Sequence, residues 1–393
     1  MFDRTAGRHR GAGALPRRLG IRLAWGTAVA ALVLGGCSST GSPSHPGSPL
    51  ATNLLPPTET RSASPSQSDT HPHGVFTTTG SLALARPIAA ATLLRDGSVL
   101  VIGGVGSAAE IYSSETGDFR LTGSPVNWVV APELVLLRDG RVLLVNASEG
   151  ELYDPASGVF TVADDSTSNR GNGEATALLS GGEVLVAGGA GTGTVLRIAD
   201  LYDPATGKFI QTGSMKTGRA CLTATTLQNG RVLVAGGDDG GCSGWDNIFG
   251  SAEIYDPHTH EFTPTGSMTT ARTGATGTLL DNGKVLIAGG VGDDGPLDSA
   301  ELYDPTSGKF TATGSMSVPR ASFTATLLAD GQVLIAGGGS ASAELYNPAT
   351  GRFTRTGSMK LPRYSDAAVR LNDGRVLILG GVEADMSAEL YWP

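Results

Sequence analysis

Few side chains in this 393-residue sequence have the type and spacing to do chemistry. From residue 73 onward there are three histidines, His73 and the pair His258 and His260 in DPHTHEF. Two residues apart beside Asp-Pro, the pair reads as an exposed turn rather than a metal centre, and no metal ligand set is assigned. Of the three cysteines, Cys37 ends an apolar leader, where a thiol is a target for acylation. Cys221 and Cys242 remain as candidates for a disulfide. Carboxylates are plentiful, 37 in all, yet no nucleophile elbow, phosphate loop or metalloprotease motif accompanies them, so no catalytic residue is assigned.

Arginine and acid recur together. Arg86, Arg170, Arg219, Arg272, Arg320 and Arg363 each stand about ten residues ahead of a turn, and downstream of them come Glu110, Asp200, Glu253, Glu301, Glu344 and Glu389. A buried arginine requires a carboxylate, so the pattern predicts structural ion pairs; its alternative is an electropositive ring for an anionic ligand. Glu174 and Asp366 occupy one shared position in their repeats and read as solvated carboxylates. Aromatic side chains outside the repeat pattern, Trp128, Trp245, Phe249 and Tyr364, are candidate ligand contacts, since an exposed ring suits sugars or peptide side chains.

The elements that must position these groups repeat from residue 80 onward. Each unit has a run ending in TLL or similar, a turn dipeptide, a VLIAGG-like run, a variable loop, AELYDP, a second turn, and KFTATGSM. Short β-branched runs bounded by turn residues are strands. Asp96-Gly97, Asp139-Gly140, Gly181-Gly182, Asn229-Gly230, Asn282-Gly283, Asp330-Gly331 and Asp373-Gly374 predict two-residue type I′ hairpins, so each unit is a four-stranded antiparallel sheet. Seven tyrosines mark seven third strands, from Tyr112 to Tyr391, but the last unit lacks the fourth-strand phenylalanine. GVFTTTG, residues 74–80, has the form of the missing strand. The expectation is an all-β, seven-bladed propeller over residues 73–393, closed by residues 74–79 completing the last blade. Long loops, VADDSTSNRGNGE, GGDDGGCSGWDNIFG and GGVGDDGPLD, all fall on one face, where a ligand would be read.

Ahead of the repeats, six arginines and one acid in the first 36 residues, a twelve-residue apolar run and the ending LGGC form a signal peptide over residues 1–36. Its end resembles the lipobox of bacterial lipoproteins, which implies lipidation of Cys37. Residues 37–72 are rich in Ser, Thr and Pro and read as a flexible tether. The chain is thus expected to be exported and held at the outer side of a bacterial cell membrane by its lipid alone. Net charge is -9 even with the basic leader included, which repels phosphate backbones and excludes nucleic acid as a partner.

The double glycine closing the second strand (Gly103-Gly104, Gly188-Gly189, Gly236-Gly237, Gly289-Gly290, Gly337-Gly338, Gly380-Gly381), followed by Tyr and then Phe, resembles the kelch repeat family and its galactose oxidase-like bacterial propellers. The resemblance implies the fold; it does not fix a function. Galactose oxidase holds copper with two Tyr and two His, one Tyr cross-linked to Cys. No histidine of this sequence falls on the variable face, so copper-radical chemistry is not expected and no cofactor is assigned. The reading is a non-catalytic module binding protein or glycan, with a carbohydrate-active enzyme using loop carboxylates as the alternative.

Overall fold

Runs of aliphatic and β-branched residues between turn dipeptides form strands because such side chains fit a pleated surface covered by neighbours. The second strand of each repeat is covered on both faces: Val99–Gly103, Val142–Asn146, Val184–Gly188, Val232–Ala235, Val285–Ala288, Val333–Gly337 and Val376–Leu379 are buried along nearly their whole length. The computed structural model describes residues 73–104, 108–127, 129, 132–146, 149–163, 170–191, 193–242, 247–381 and 386–393. The leader, Cys37 and the tether lie outside the described residues.

The described residues form seven four-stranded antiparallel sheets and one two-stranded ribbon, with no helix. Six blades are consecutive in sequence, their first strands being Ala89–Leu93, Glu133–Leu136, Glu174–Leu178, Thr223–Thr226, Thr276–Leu279 and Phe323–Leu327. Blade seven joins Ala367–Arg370, Val376–Leu379 and Ala388–Trp392 to Val75–Thr78 from the other end of the repeats, with Phe76 opposite Tyr391. The first strands stand side by side around a central channel, and the circuit closes where blade seven meets blade one. The architecture is a seven-bladed propeller.

The turns between first and second strands differ from the expected two-residue type. Leu94 and Ser98 are the last paired residues, with Leu94 donating to the Ser98 carbonyl at 2.8 Å and Gly97 donating to the Leu94 carbonyl at 3.1 Å. The turn therefore holds three residues, and only its glycine has positive φ (85° at Gly97). Asp96 accepts the Ser98 amide at 3.0 Å, so the acid organises the turn through its side chain while its backbone stays in the ordinary region. All seven turns share the backbone pattern; an Asp or Asn side chain organises six of them, and Gly181 stands at that place in blade three.

No single core exists. Seven apolar clusters each lie between two adjacent blades, so stability resides in the seams. The third-strand tyrosine and fourth-strand phenylalanine pack together in every blade, with ring centroids 4.8–5.0 Å apart. The repeated Thr-Gly that follows the phenylalanine stitches six of the seven seams. The threonine hydroxyl meets the next blade's tyrosine hydroxyl at 2.9–3.0 Å in six places, from Thr79 with Tyr112 to Thr356 with Tyr391. The glycine amide reaches a carbonyl in the next blade's outer turn, as from Gly123 to Gly158 at 3.0 Å, and a side chain at Gly123 would overlap that oxygen.

One seam lacks its stitch. Tyr202 presents a buried hydroxyl with no partner, because Ala163 holds the place of the threonine. Ala163→Thr is expected to give that hydroxyl a partner worth about 1 kcal/mol. In calorimetry this should appear as a melting temperature raised by roughly 2 °C; an unchanged or lower value would contradict the stitch.

Candidate functional site

The loops that carry the candidate site are fixed by the arginines. Each guanidinium is buried against the carboxylate of its own blade: Arg86 with Glu110 and Arg170 with Asp200 at 2.8 Å, Arg320 with Glu344 and Arg363 with Glu389 at 3.2 Å, and Arg219 with Glu253 and Arg272 with Glu301 at 3.3 Å. The same guanidinium donates to the carbonyl of the first residue in the double glycine, as from Arg272 to Gly289 at 2.9 Å, and to the carbonyl just ahead of the third strand, Ser299 at 3.0 Å. Remaining carboxylate capacity takes amides of the loop leading into the blade; Thr269 and Thr270 donate to Glu301 at 2.9 and 3.0 Å. The second glycine then donates to the next blade's arginine carbonyl, as Gly237 does to Arg272 at 2.9 Å. With their charges neutralised inside the blades, these arginines are not displayed to a ligand.

Blade two has Val129, 3% exposed, where the arginine would be. Glu151 there still holds its loop through the amides of Val126 and Asn127 at 2.8 and 2.9 Å. Asn146 pairs directly with Glu149, so only two residues join the second and third strands of blade two.

Around the channel mouth, a residue one or two places before the first strand of blades three to seven adopts left-handed backbone: Gly173, Cys221, Gly274, Ser322 and Ser365. These residues join into arcs of a belt. Cys221 donates to Gly173 at 2.7 Å and Gly274 to Cys221 at 2.8 Å, while Ser365 donates to Ser322 at 2.9 Å. Cys221 is bonded to Cys242, with Cα atoms 5.3 Å apart, and the bridge lies over Gly173, where a side chain would overlap the Cys242 sulfur. Asp238, fully buried, organises the loop that brings Cys242 there. It accepts the Gly240 and Cys242 amides at 3.0 Å and the Thr273 hydroxyl of blade five at 2.7 Å. The sequence signals its role only as one acid within GGDDGGC.

Beside the belt lies a cleft of about 490 Å³ spanning blades five to seven. Pro296, Val318 and Pro319 form one side, Gly338 to Ser340 another, and Tyr364, 59% exposed, covers Gly339. Three carboxylates stand at the channel end of the first strands. Glu133 is open to the channel but ringed by protein; that confinement, and next the charge of Glu174 on blade three, push its carboxyl up to about 7. Glu174 and Asp366, expected to be solvated, are instead buried, at 7% and 8% exposed, because each faces the neighbouring blade.

A family model described as the Kelch motif matches residues 219–269 and 272–317, which fall on blades four and five. The chain is a kelch-repeat propeller. Among solved structures it is similar to one titled a novel fungal alcohol oxidase with catalytic diversity among the AA5 family, in complex with copper. The TM-score is 0.66 at 21% identity, covering 81% of this chain and 76% of that one. This is a likeness of fold. No curated protein matches.

In this kelch propeller the four aromatic candidates separate. Trp128 and Trp245 lie outside the described residues. Phe249 is half-buried and covers Arg219, 5.4 Å from guanidinium to ring centroid, with its amide and carbonyl both bonded to backbone. It is a lid on the arginine rather than an exposed platform. Tyr364 alone of the described pair offers an open ring face. His258 and His260 sit on an outer turn of the opposite face, His260 with its ring 3.2 Å from the Tyr255 hydroxyl. Among the described residues no group of three or more His, Cys, Asp or Glu is placed to hold a metal ion.

The Cys221–Cys242 bridge ties the blade-four loop to the belt, so its loss should cost about 2–4 kcal/mol. Thermal melting with and without reductant, compared with the Cys221→Ser/Cys242→Ser variant, checks this. Equal melting in all three would contradict it.

Proposed function

We propose that this propeller is an exported binding module, held at the outer side of a bacterial membrane through lipidated Cys37, that takes a protein or glycan on its long-loop face. The observation that carries the reading is the exposed Tyr364 ring on the wall of the 490 Å³ cleft. An aromatic face with adjoining backbone polar groups provides both contact area and hydrogen bonds for such a ligand. The opposite face offers only short turns whose polar groups bond locally, such as Asp304 to Gly308. Trp128 and Trp245 belong to the same reading as further contacts on that face. A disulfide suits an oxidising compartment, in agreement with the LGGC leader.

A second reading, a carbohydrate-active enzyme, draws on Glu133 and Glu174. A carboxyl held near 7 beside a second carboxylate is the arrangement of an acid and a base. In that case Glu133→Gln would abolish turnover of a glycan while Tyr364→Ala would mainly weaken its binding.

Panels of glycans and of envelope surface proteins, presented to the full chain, test the two readings together. Binding without turnover, weakened at least tenfold by Tyr364→Ala (about 1.4 kcal/mol) and unaltered by His258→Ala on the far face, is the expected result. Binding indifferent to Tyr364, or transferred to the far face, would overturn it.

A further inference from the structure

Asp366 is a buried acid to which neither the fold nor the proposed binding gives a role. It stands at the seam of blades six and seven, 8% exposed, and its carboxylate oxygens have no well-formed hydrogen bond, only the weak approach of its own backbone amide and of the Thr324 hydroxyl. Thr324 of blade six lies beside it, but its hydroxyl is directed to the Ala336 carbonyl at 3.4 Å. The carboxyl occupies a socket left by Gly337, where any side chain would overlap it. Chain neighbours of both socket residues line the cleft. Tyr364, two residues ahead of Asp366, forms one wall, and Gly338, next to Gly337, forms another. Among the other first-strand residues of this seam, Phe323–Leu327 and Ala367–Arg370, the one charged group is Arg370 at the far end, bonded to the Leu327 carbonyl at 3.1 Å. The second strands, Val333–Gly337 and Val376–Leu379, contribute none. From the loops, Arg320 and Arg363 act on the carboxyl, each already bound to its own Glu344 or Glu389.

We propose that Asp366 is a proton-operated latch. Neutral, it seats in the Gly337 socket and holds blades six and seven together beneath the cleft; once its proton passes to solvent, the carboxylate must leave the socket or draw water in, and the seam loosens. The latch acts on the seam whether or not the cleft takes a ligand.

Burial is the main cause that raises the carboxyl to about 7, opposed first by its own backbone amide and then by Arg363, the Thr324 hydroxyl and Arg320. The closed seam thus binds the proton more tightly than an opened one, in which the group returns to an ordinary value near ~3.9. Linkage makes the closed seam most stable at low pH, with stability lost as pH rises from about 4 through about 7 and constant above that.

Hydrogen exchange, corrected for intrinsic amide rates, tests this at about pH 5.5 and about pH 8.5. Protection of Phe323–Leu327 and Ala367–Arg370 should fall roughly 30-fold over that range, by linkage. The seam of blades four and five, Thr223–Thr226 against Thr276–Leu279, has no carboxylate on its first strands and should not change. Asp366→Asn should abolish the difference. Should that variant fail to fold, carboxyl NMR titration of the unaltered protein decides. A midpoint for Asp366 near 7 supports the latch, and one near ~4 overturns it. Protection indifferent to pH, or a pH-dependent loss surviving in Asp366→Asn, also overturns it.

Discussion

A guanidinium buried beside a carboxylate organises this molecule blade by blade. Removing both charges from water costs several kcal/mol per ion, which the pair offsets only where further hydrogen bonds take up most of the remaining donors and acceptors. Here backbone meets the terminal nitrogens and the carboxylate, while the Nε of Arg219, Arg272, Arg320 and Arg363 stays buried without a partner. The arginine takes the carbonyl of the first glycine and the one ahead of the third strand, and the acid takes the amides of the incoming loop. Three segments distant in sequence are thereby held at one point. The first glycine must be glycine because its carbonyl is aimed by a left-handed backbone, φ 57° at Gly289, and the second because it passes close to its neighbours.

From that point the ring follows. The second glycine reaches the next blade's arginine carbonyl on the loop side, and Thr-Gly reaches the next blade's tyrosine and outer turn on the other. Where both motifs are present the seam is pinned at both ends and filled with apolar side chains between; the seam of blades two and three has neither. Loops on the pinned face can then vary in length without disturbing the blades, which is why the departures gather there: the disulfide over Gly173, Asp238 spanning two blades, and the triple glycine beneath Tyr364. Blade two shows the rule by omission. Without an arginine it keeps its loop on Glu151 and shortens the connection between its second and third strands.

Much of the fold was legible in sequence because every blade must solve the same packing problem. Tyrosine, phenylalanine, double glycine and the Arg–acid pair recur for that reason, and counting the tyrosines and phenylalanines counts the sheets. Local backbone was less legible: Asp96-Gly97 suits a two-residue turn by composition, but the chain makes a three-residue one, which the acid's side-chain bond to Ser98 supports. Groups acting across a seam were hardest. Glu133 and Glu174 lie in different repeats, and only the packing of blade two on blade three shows that they share a field. Asp366 reads as solvated in sequence; the glycine that makes its socket lies in the blade before. The cleft likewise has no motif, since its walls come from three blades.

The central claim, that buried pairs hold each blade's three segments together, is tested most directly by a double-mutant cycle on Arg272 and Glu301, measured by denaturant unfolding. Arg272→Met and Glu301→Gln should each lose about 3–5 kcal/mol, and the double variant should lose little more than the worse single one, because the two act as a unit. Single losses under about 1 kcal/mol, or a double loss equal to their sum, would contradict the account.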